Sequence, residues 1–268
     1  MITAHIPRKR FGQHFLTDSA VIRAIVEAIH PQPTDLMVEI GPGLAALTGP
    51  LLARLPHLHV VELDRDIVAR LHAEYPPERL VVHACDALEY DFGSLGRPDK
   101  PLRVVGNLPY NISTPLLFHL STFSDSISDM TFMLQKEVVE RMVAKPGGDY
   151  GRLSVMLQYR FAMEQLFSVS PDAFRPPPKV ESAIVRMVPL RQKNPAAQDE
   201  SLFAKVVATA FTQRRKTLRN ALSRLLSAED LTQLGIDPGL RPEVLSVADY
   251  VRIANRLSAP GYQPEKNS

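Results

Sequence analysis

Between residues 36 and 134 the chain repeats one pattern: a short apolar run, a polar turn, then a helix-like stretch. This rhythm constrains the fold more than any other feature. Two parallel strands need a long crossover between them, and a helix is the usual one. Residues 36–40 read as a buried strand and 45–55 as a helix. Residues 58–63 read as a strand, and 64–72 as a helix opened by an acidic cap. Strands are expected at 80–84, 102–105 and 130–134, with a helix at 114–120 for which Ser113 is the candidate cap. The expected fold class is α/β, a Rossmann-like, mostly parallel, doubly wound sheet with helices on both faces.

After residue 150 the pattern changes. Residues 159–169 and 183–188 read as two strands joined by a Pro-rich connection over 171–179, an antiparallel pair at one sheet edge. Residues 191–200 are polar and aperiodic and read as a linker. From 201 the pattern is helical, so a domain over 1–190 and a small all-α domain over 201–268 are expected, with a frayed tail from 259.

Hydrophobic residues make up 45% of the chain and charged residues 22%, enough apolar material for a core and too much for a disordered chain. No apolar run approaches the ~18 residues of a membrane span, so no membrane partner is expected. The single cysteine, Cys85, rules out an internal disulfide and fits a cytoplasmic setting. Arg8, Lys9 and Arg10 lack a following apolar stretch, so a secretory signal is not expected.

Glu39-Ile40-Gly41-Pro42-Gly43 closes the first strand and opens the next helix. Gly41 and Gly43 let the backbone turn tightly and approach a ligand, at the carboxyl end of a strand where open α/β sheets bind ligands. Glu62 ends the second strand, 21 residues after Gly41, where an acid can accept from both ribose hydroxyls. Asp86 follows the third strand and can accept from an adenine amino group. Together these residues describe an adenosine-shaped pocket. Gly41-x-Gly43-x-x-Ala46 also satisfies the dinucleotide fingerprint, so spacing alone leaves a dehydrogenase open.

The fourth strand ends in Gly106-Asn107-Leu108-Pro109-Tyr110-Asn111. An Asn-Leu-Pro-Tyr turn here, with the Gly-Pro-Gly loop, resembles the S-adenosylmethionine-dependent N6-adenine methyltransferases. Phe11-Gly12-Gln13-His14-Phe15-Leu16, Leu134-Gln135-Lys136-Glu137, Tyr150-Gly151-Arg152-Leu153-Ser154, Phe174-Arg175-Pro176-Pro177-Pro178-Lys179-Val180 and Gln213-Arg214-Arg215-Lys216-Thr217 extend the likeness over roughly residues 8 to 255. Taken together they resemble the ribosomal RNA adenine dimethyltransferase family, within it the branch acting on 16S rRNA of the small subunit. His14 departs from the pattern, standing where many members carry Asn.

The resemblance implies a class I methyltransferase that dimethylates N6 of two adjacent adenosines near the 3′ end of 16S rRNA, in the 30S subunit or its precursor, as a monomer. It implies S-adenosylmethionine as methyl donor, S-adenosylhomocysteine as product, and no metal. His14, Leu16, Gly41, Gly43, Glu62, Asp86 and Asn107 are the expected cofactor contacts. Asn107, Leu108, Pro109 and Tyr110 form the expected catalytic turn, and Tyr110 and Phe174 the two faces that hold the flipped base. A 23S rRNA methyltransferase of the macrolide-resistance type and a non-catalytic ribosome-assembly factor are the alternatives.

The net charge of +2 hides an asymmetry. Residues 201–268 carry ten basic and six acidic side chains, and between 201 and 226 the count is six to none. Arg214 would fall on the apolar face of a continuous helix, so a break is expected near Gln213. Arg214, Arg215, Lys216 and Arg219 are expected RNA contacts, joined by Arg8, Lys9, Arg10, Arg152 and Lys179. His57 and His59 lack companions for a metal site, Cys85 reads as a small buried hydrophobe, and no nucleophile elbow or Walker sequence is present.

Overall fold

The computed structural model describes residues 14–97, 99–260 and 262. The chain divides into two compact units: residues up to Val139 with Ala162–Pro189, and Glu140–Phe161 with the chain from Leu190 onward.

In the first unit the apolar runs become strands β2 (Leu36–Ile40), β3 (Leu58–Val61), β4 (Leu80–His83), β5 (Leu102–Asn107) and β6 (Ile127–Gln135). These five are parallel, in the order β4-β3-β2-β5-β6. The chain winds from β2 through β3 to β4, then returns to β5 beside β2. That reversal makes a topological switch point between the carboxyl ends of β2 and β5. Strand β9 (Ser182–Pro189) pairs antiparallel with β6, and β7 (Phe161–Val169) lies outermost beside β9.

The helices of this unit are α1 (Ser19–Ile29), α2 (Thr48–Leu52), α3 (Arg65–Glu74) and α4 (Ser113–Ser121), with α5 (Lys136–Val143) crossing the division between the units. Asp64 caps α3 as expected, accepting from the Asp66 N–H. Helix α2 is much shorter than the predicted 45–55. Ala45 has φ 66°, a left-handed conformation that no helix contains, and Pro50 contributes no N–H donor. Ser113 is not the cap of α4: Ile112 takes that position, and the Ser113 hydroxyl donates instead to the Tyr110 carbonyl.

A two-stranded ribbon has no counterpart among the expected elements. Strand β1 (Phe15–Leu16) pairs antiparallel with β8 (Phe174–Arg175), seating the N-terminal segment on the Pro-rich connection. Leu16 and Phe174 both join the main apolar cluster, with Ile25, Ile29, Val60 and Met133.

The second unit contains α6 (Arg152–Gln158), α7 (Glu200–Thr212), α8 (Leu218–Ala221), α9 (Ala228–Gln233) and α10 (Val247–Leu257). Its core joins Tyr150, Val155 and Tyr159 to Phe203, Val207, Leu222, Tyr250 and Ile253. A boundary at 190 therefore divides the chain differently from the packing, because residues 140–161 bury their apolar face in this core. The break near Gln213 is present: α7 ends at Thr212, and Arg214, Arg215 and Lys216 lie exposed in the turn before α8. Among the described residues no helix is long and apolar enough to cross a membrane.

Candidate active site

One pocket collects the residues that follow the strands at the switch point. It is lined by the Gly41–Leu44 loop, Glu39, Glu62, Leu63, Cys85, Asp86, the Asn107–Ile112 turn, and His14 to Leu16. Every predicted cofactor contact and all four residues of the Asn-Leu-Pro-Tyr turn lie on this lining.

The loop after β2 depends on its glycines. Gly41 and Gly43 have φ of 65° and 53°, and a Cβ on Gly43 would press on the Phe15 ring at 3.3 Å. One position in β5 is tighter still. A Cβ on Gly106 would stand 2.4 Å from the Ile40 carbonyl, so β2 and β5 approach here as only glycine allows. That approach brings the two ligand-facing loops together.

Two carboxyls lie on this lining, Glu39 buried and Glu62 partly buried. Glu62 accepts from the Asp64 N–H at 2.8 Å. Burial pushes its carboxyl above the usual range, while backbone N–H groups of Asp64, Leu63 and Gly43 restrain the rise. Glu39 is not among the residues expected from sequence, although it stands two residues before Gly41. It is 2% exposed and accepts from the Thr48 hydroxyl at 2.6 Å. Burial pushes the Glu39 carboxyl up to about 7, Thr48 draws it down, and the neighbouring Glu62 charge pushes it up again. A ligand that offers hydroxyl donors and carries positive charge relieves both groups. S-adenosylmethionine has a vicinal diol, an ammonium and a sulfonium, so the donor set fits it. Asp86 accepts from the Leu88 N–H at 2.9 Å. The Cys85 thiol is pushed up by burial and by Asp86 and Glu89, which keeps it neutral.

The Glu39 shift has a measurable consequence. Its folded pKa lies above its unfolded value, so its contribution to stability is full below about 4.5 and is lost as pH rises through about 7. Chemical denaturation from pH 5 to pH 8 should show Glu39→Gln losing less stability than the parent chain, by up to about 3 kcal/mol. Parallel curves for the two proteins would contradict a buried, protonatable Glu39.

The Asn107 turn is held from three sides. The Leu108 N–H donates to the Met133 carbonyl at 3.2 Å, and Leu108 is buried. The Asn107 amide nitrogen donates to the His14 carbonyl at 3.3 Å. A carbonyl can only accept, so this bond fixes the nitrogen towards His14 and leaves Oδ1 as an acceptor on the other side. The Tyr110 hydroxyl lies 2.7 Å from Ser182 Oγ, and burial pushes its phenol up, so the ring stays neutral. The His14 ring stacks on Tyr110, and His14 Nδ1 lies 2.8 Å from the Pro176 carbonyl.

Phe174 departs from its expected role. It is fully buried, paired with Leu16 and packed in the apolar cluster, and it does not line the pocket. Its ring offers no face to a base in this arrangement. Of the predicted RNA contacts, Arg152, Lys179, Arg214, Arg215, Lys216 and Arg219 are exposed, and Arg214 donates to the Gly148 carbonyl. Arg8, Lys9 and Arg10 lie outside the described residues. No group of three or more His, Cys, Asp or Glu side chains able to hold a metal occurs among the described residues.

Known proteins resemble this chain over nearly its whole length. The family described as ribosomal RNA adenine dimethylase matches residues 4–259. The chain is 66% identical to ribosomal RNA small subunit methyltransferase A of Thiobacillus denitrificans, covering 95% of this chain and 99% of that one. It is 62% identical to the protein of that name from Chromobacterium violaceum, covering 97% and 99%. A dimethyladenosine transferase from Plasmodium falciparum shares the fold, with TM-score 0.76 over 90% of this chain and 96% of that one at 23% identity. The 23S rRNA methyltransferase ErmE follows with TM-score 0.69 and 26% identity, over 91% and 100%. The family match spans nearly the whole chain and both site loops: this protein belongs to the ribosomal RNA adenine dimethylase family and is an enzyme of that class.

Proposed function

We propose that this enzyme transfers methyl groups from S-adenosylmethionine to N6 of two adjacent adenosines near the 3′ end of 16S rRNA, within the 30S subunit or its precursor. The observation that carries this reading is the convergence of the Asn107–Tyr110 turn with Gly41, Gly43, Glu62 and Asp86 on one pocket. The small-subunit assignment is supported by relatives named for that subunit at 62% and 66% identity, against 26% for the 23S enzyme.

Gly41, Gly43, Glu62 and Asp86 would hold the cofactor, with Leu16 on the lining beside them. When bound, S-adenosylmethionine supplies an activated methyl group on a sulfonium leaving group. The chain's own task is to present the adenine amino group. That nitrogen is a poor nucleophile because its lone pair is delocalised into the ring. Asn107 Oδ1 and the Leu108 carbonyl accept its two N–H bonds, favour pyramidal geometry and stabilise the positive charge that develops. Pro109 has its own φ fixed near −65° and disfavours the helical region for Leu108, which helps aim that carbonyl. Tyr110 stacks on the flipped base, an interaction worth about 1–3 kcal/mol.

Glu62→Ala should weaken S-adenosylhomocysteine binding roughly tenfold or more, since charge-assisted hydrogen bonds to the ribose disappear. Calorimetry on the purified protein reads this directly, and an unchanged affinity removes the ribose role.

The exposed cations of the second unit suit phosphates. Among the described residues Arg215, Lys216 and Arg219 form no ion pair, so they are not neutralised within the protein. Arg215→Glu with Arg219→Glu should weaken RNA binding. It should also make the plot of log affinity against log salt shallower by about one for each phosphate that is no longer neutralised. An unaltered salt dependence places the RNA elsewhere.

The deciding experiment measures transfer of labelled methyl groups into undermethylated 30S subunits, free 16S rRNA and 50S subunits in parallel. Incorporation into the 30S arm as N6,N6-dimethyladenosine is the expected result. Incorporation only into the 50S arm overturns the proposal.

A further inference from the structure

We propose that Ser182 is a positioning residue for methyl transfer: its hydroxyl holds the Tyr110 ring at the angle from which the target adenine is presented to the methyl donor. This rests on the reading above that Tyr110 stacks on that base.

Ser182 is a polar side chain in an apolar place. It opens β9 opposite Gln135, the last residue of β6, and it is fully buried. The residues that follow it, Ala183, Ile184 and Val185, are apolar and equally buried. Among the described residues its hydroxyl has one hydrogen-bond partner, the Tyr110 hydroxyl at 2.7 Å. A buried hydroxyl is costly unless it is bonded, and an apolar pair of the same shape serves stability about as well. Fold stability alone therefore gives no reason for a hydroxyl on either side of this contact.

Both ends of the contact are anchored. Beside Ser182, the Glu181 carbonyl accepts from the Lys136 N–H at 3.0 Å, and the Glu181 carboxylate pairs with Lys136 Nζ at 2.7 Å. From Ser182 onward the antiparallel pairing with β6 continues to Met187. Tyr110 is held at its main chain, where its carbonyl accepts from the Ser113 hydroxyl at 3.1 Å. Two residues earlier, the Leu108 N–H donates to the Met133 carbonyl on β6. The catalytic turn is thus tied twice to the β6–β9 pair. The bond at Met133 aims the Leu108 carbonyl, and the bond at Ser182 aims the Tyr110 ring.

Without the second tie the ring keeps its stacking face but is free to visit other rotamers. A misplacement of about 1 Å in a reacting group can cost about 10²-fold in rate. Affinity for the RNA rests chiefly on phosphate contacts, which this bond does not touch. The loss therefore falls on kcat rather than on KM.

The test compares Ser182→Ala, Tyr110→Phe and the double variant in the full-length enzyme. Four quantities are measured: kcat and KM on undermethylated 30S subunits, S-adenosylhomocysteine affinity by calorimetry, and the urea midpoint. Ser182→Ala should lower kcat roughly ten- to hundredfold, with KM and cofactor affinity within about threefold of the parent. Tyr110→Phe keeps the ring and loses the hydroxyl, so it should lower kcat similarly. The double variant should be slower than the slower single variant by no more than about twofold, since both substitutions break one bond. It also leaves neither hydroxyl without its partner, so its urea midpoint should move back towards the parent while kcat stays low. Parent-like kcat in Ser182→Ala overturns the proposal. So do losses that multiply in the double variant, a kcat that recovers along with stability, or a defect confined to cofactor affinity. Failure of the parent enzyme to methylate adenine in 30S subunits overturns the reading on which the proposal rests, and is recognised from that arm alone.

Discussion

Replacing Asn107 with alanine is expected to lower kcat by about 10²–10³-fold, the cost of removing one pre-aimed group that stabilises developing charge. The target nitrogen becomes positive only as the new bond forms. An acceptor on its N–H therefore contributes more in the transition state than in the ground state, and its loss falls on kcat. Asn107 is suited to this because its donor end is already committed to the His14 carbonyl, which turns Oδ1 the other way. Methyl-transfer kinetics on 30S subunits at saturating cofactor test the effect, with calorimetric S-adenosylhomocysteine affinity as the control. A variant with near-normal turnover removes Asn107 from the chemistry. A variant that fails chiefly through cofactor affinity makes it a binding residue only.

Much of this site is legible in the sequence because its signals are local. Gly41 and Gly43 adopt the positive φ that their type suggests, and Glu62, Asp86 and Asn107 stand at or just beyond strand ends that apolar runs mark. Apolar runs find such strands because the central ones, β2 and β5, are largely buried on both faces. Edge strand β4 keeps an apolar run although Val81 is exposed. What such runs miss is non-local. The two-residue β1 has no periodicity of its own, and its partner Phe174–Arg175 lies about 160 residues away. Without that pairing nothing in the sequence shows that Phe174 is covered, or that His14 is carried to Tyr110. Residues 140–161 fall in the wrong domain for the same reason. Their apolar positions fit a core, but the pattern does not say which one, and Phe203 and Tyr250 supply it from far along the chain. Glu39 is easily passed over because an acid in a strand usually faces solvent. Here its partner is Thr48, a short-range contact that the sequence does contain.

Arg103→Ala is expected to cost about 3–5 kcal/mol of stability while leaving the chemistry intact. Arg103 spends its guanidinium on four groups from separate parts of the first unit. It meets Asp129 on β6 through Nε at 2.8 Å and Nη2 at 2.9 Å, and Asp35 through Nη1 at 2.6 Å. It also donates to the Ile29 and His30 carbonyls at the end of α1, at 2.6 and 3.3 Å. A cation is favoured there by the unpaired carbonyls and the helix dipole. The side chains of Arg103, Asp129 and Asp35 are 12%, 10% and 17% exposed, so solvent screens them little. Removing the arginine takes the main cation from two poorly solvated carboxylates and a donor from two helix-end carbonyls. Gln32 still donates to Asp35 at 2.8 Å and to the His30 carbonyl at 3.3 Å. Arg186 keeps a bond to Asp129 at 3.2 Å, which places the cost towards the lower end of that range. Arg103 and Asn107 are four residues apart on β5, roughly 13 Å at the rise of a strand. The network therefore secures the end of β5 that lies away from the Asn107–Tyr110 turn. Urea denaturation should show a lower midpoint with an unchanged slope, and kcat measured well below the melting temperature should match the parent enzyme. A stable variant argues that water satisfies the freed carboxylates. A stable but inactive one argues that the network reaches the site, and separates anchoring from catalysis in the opposite sense to Asn107→Ala.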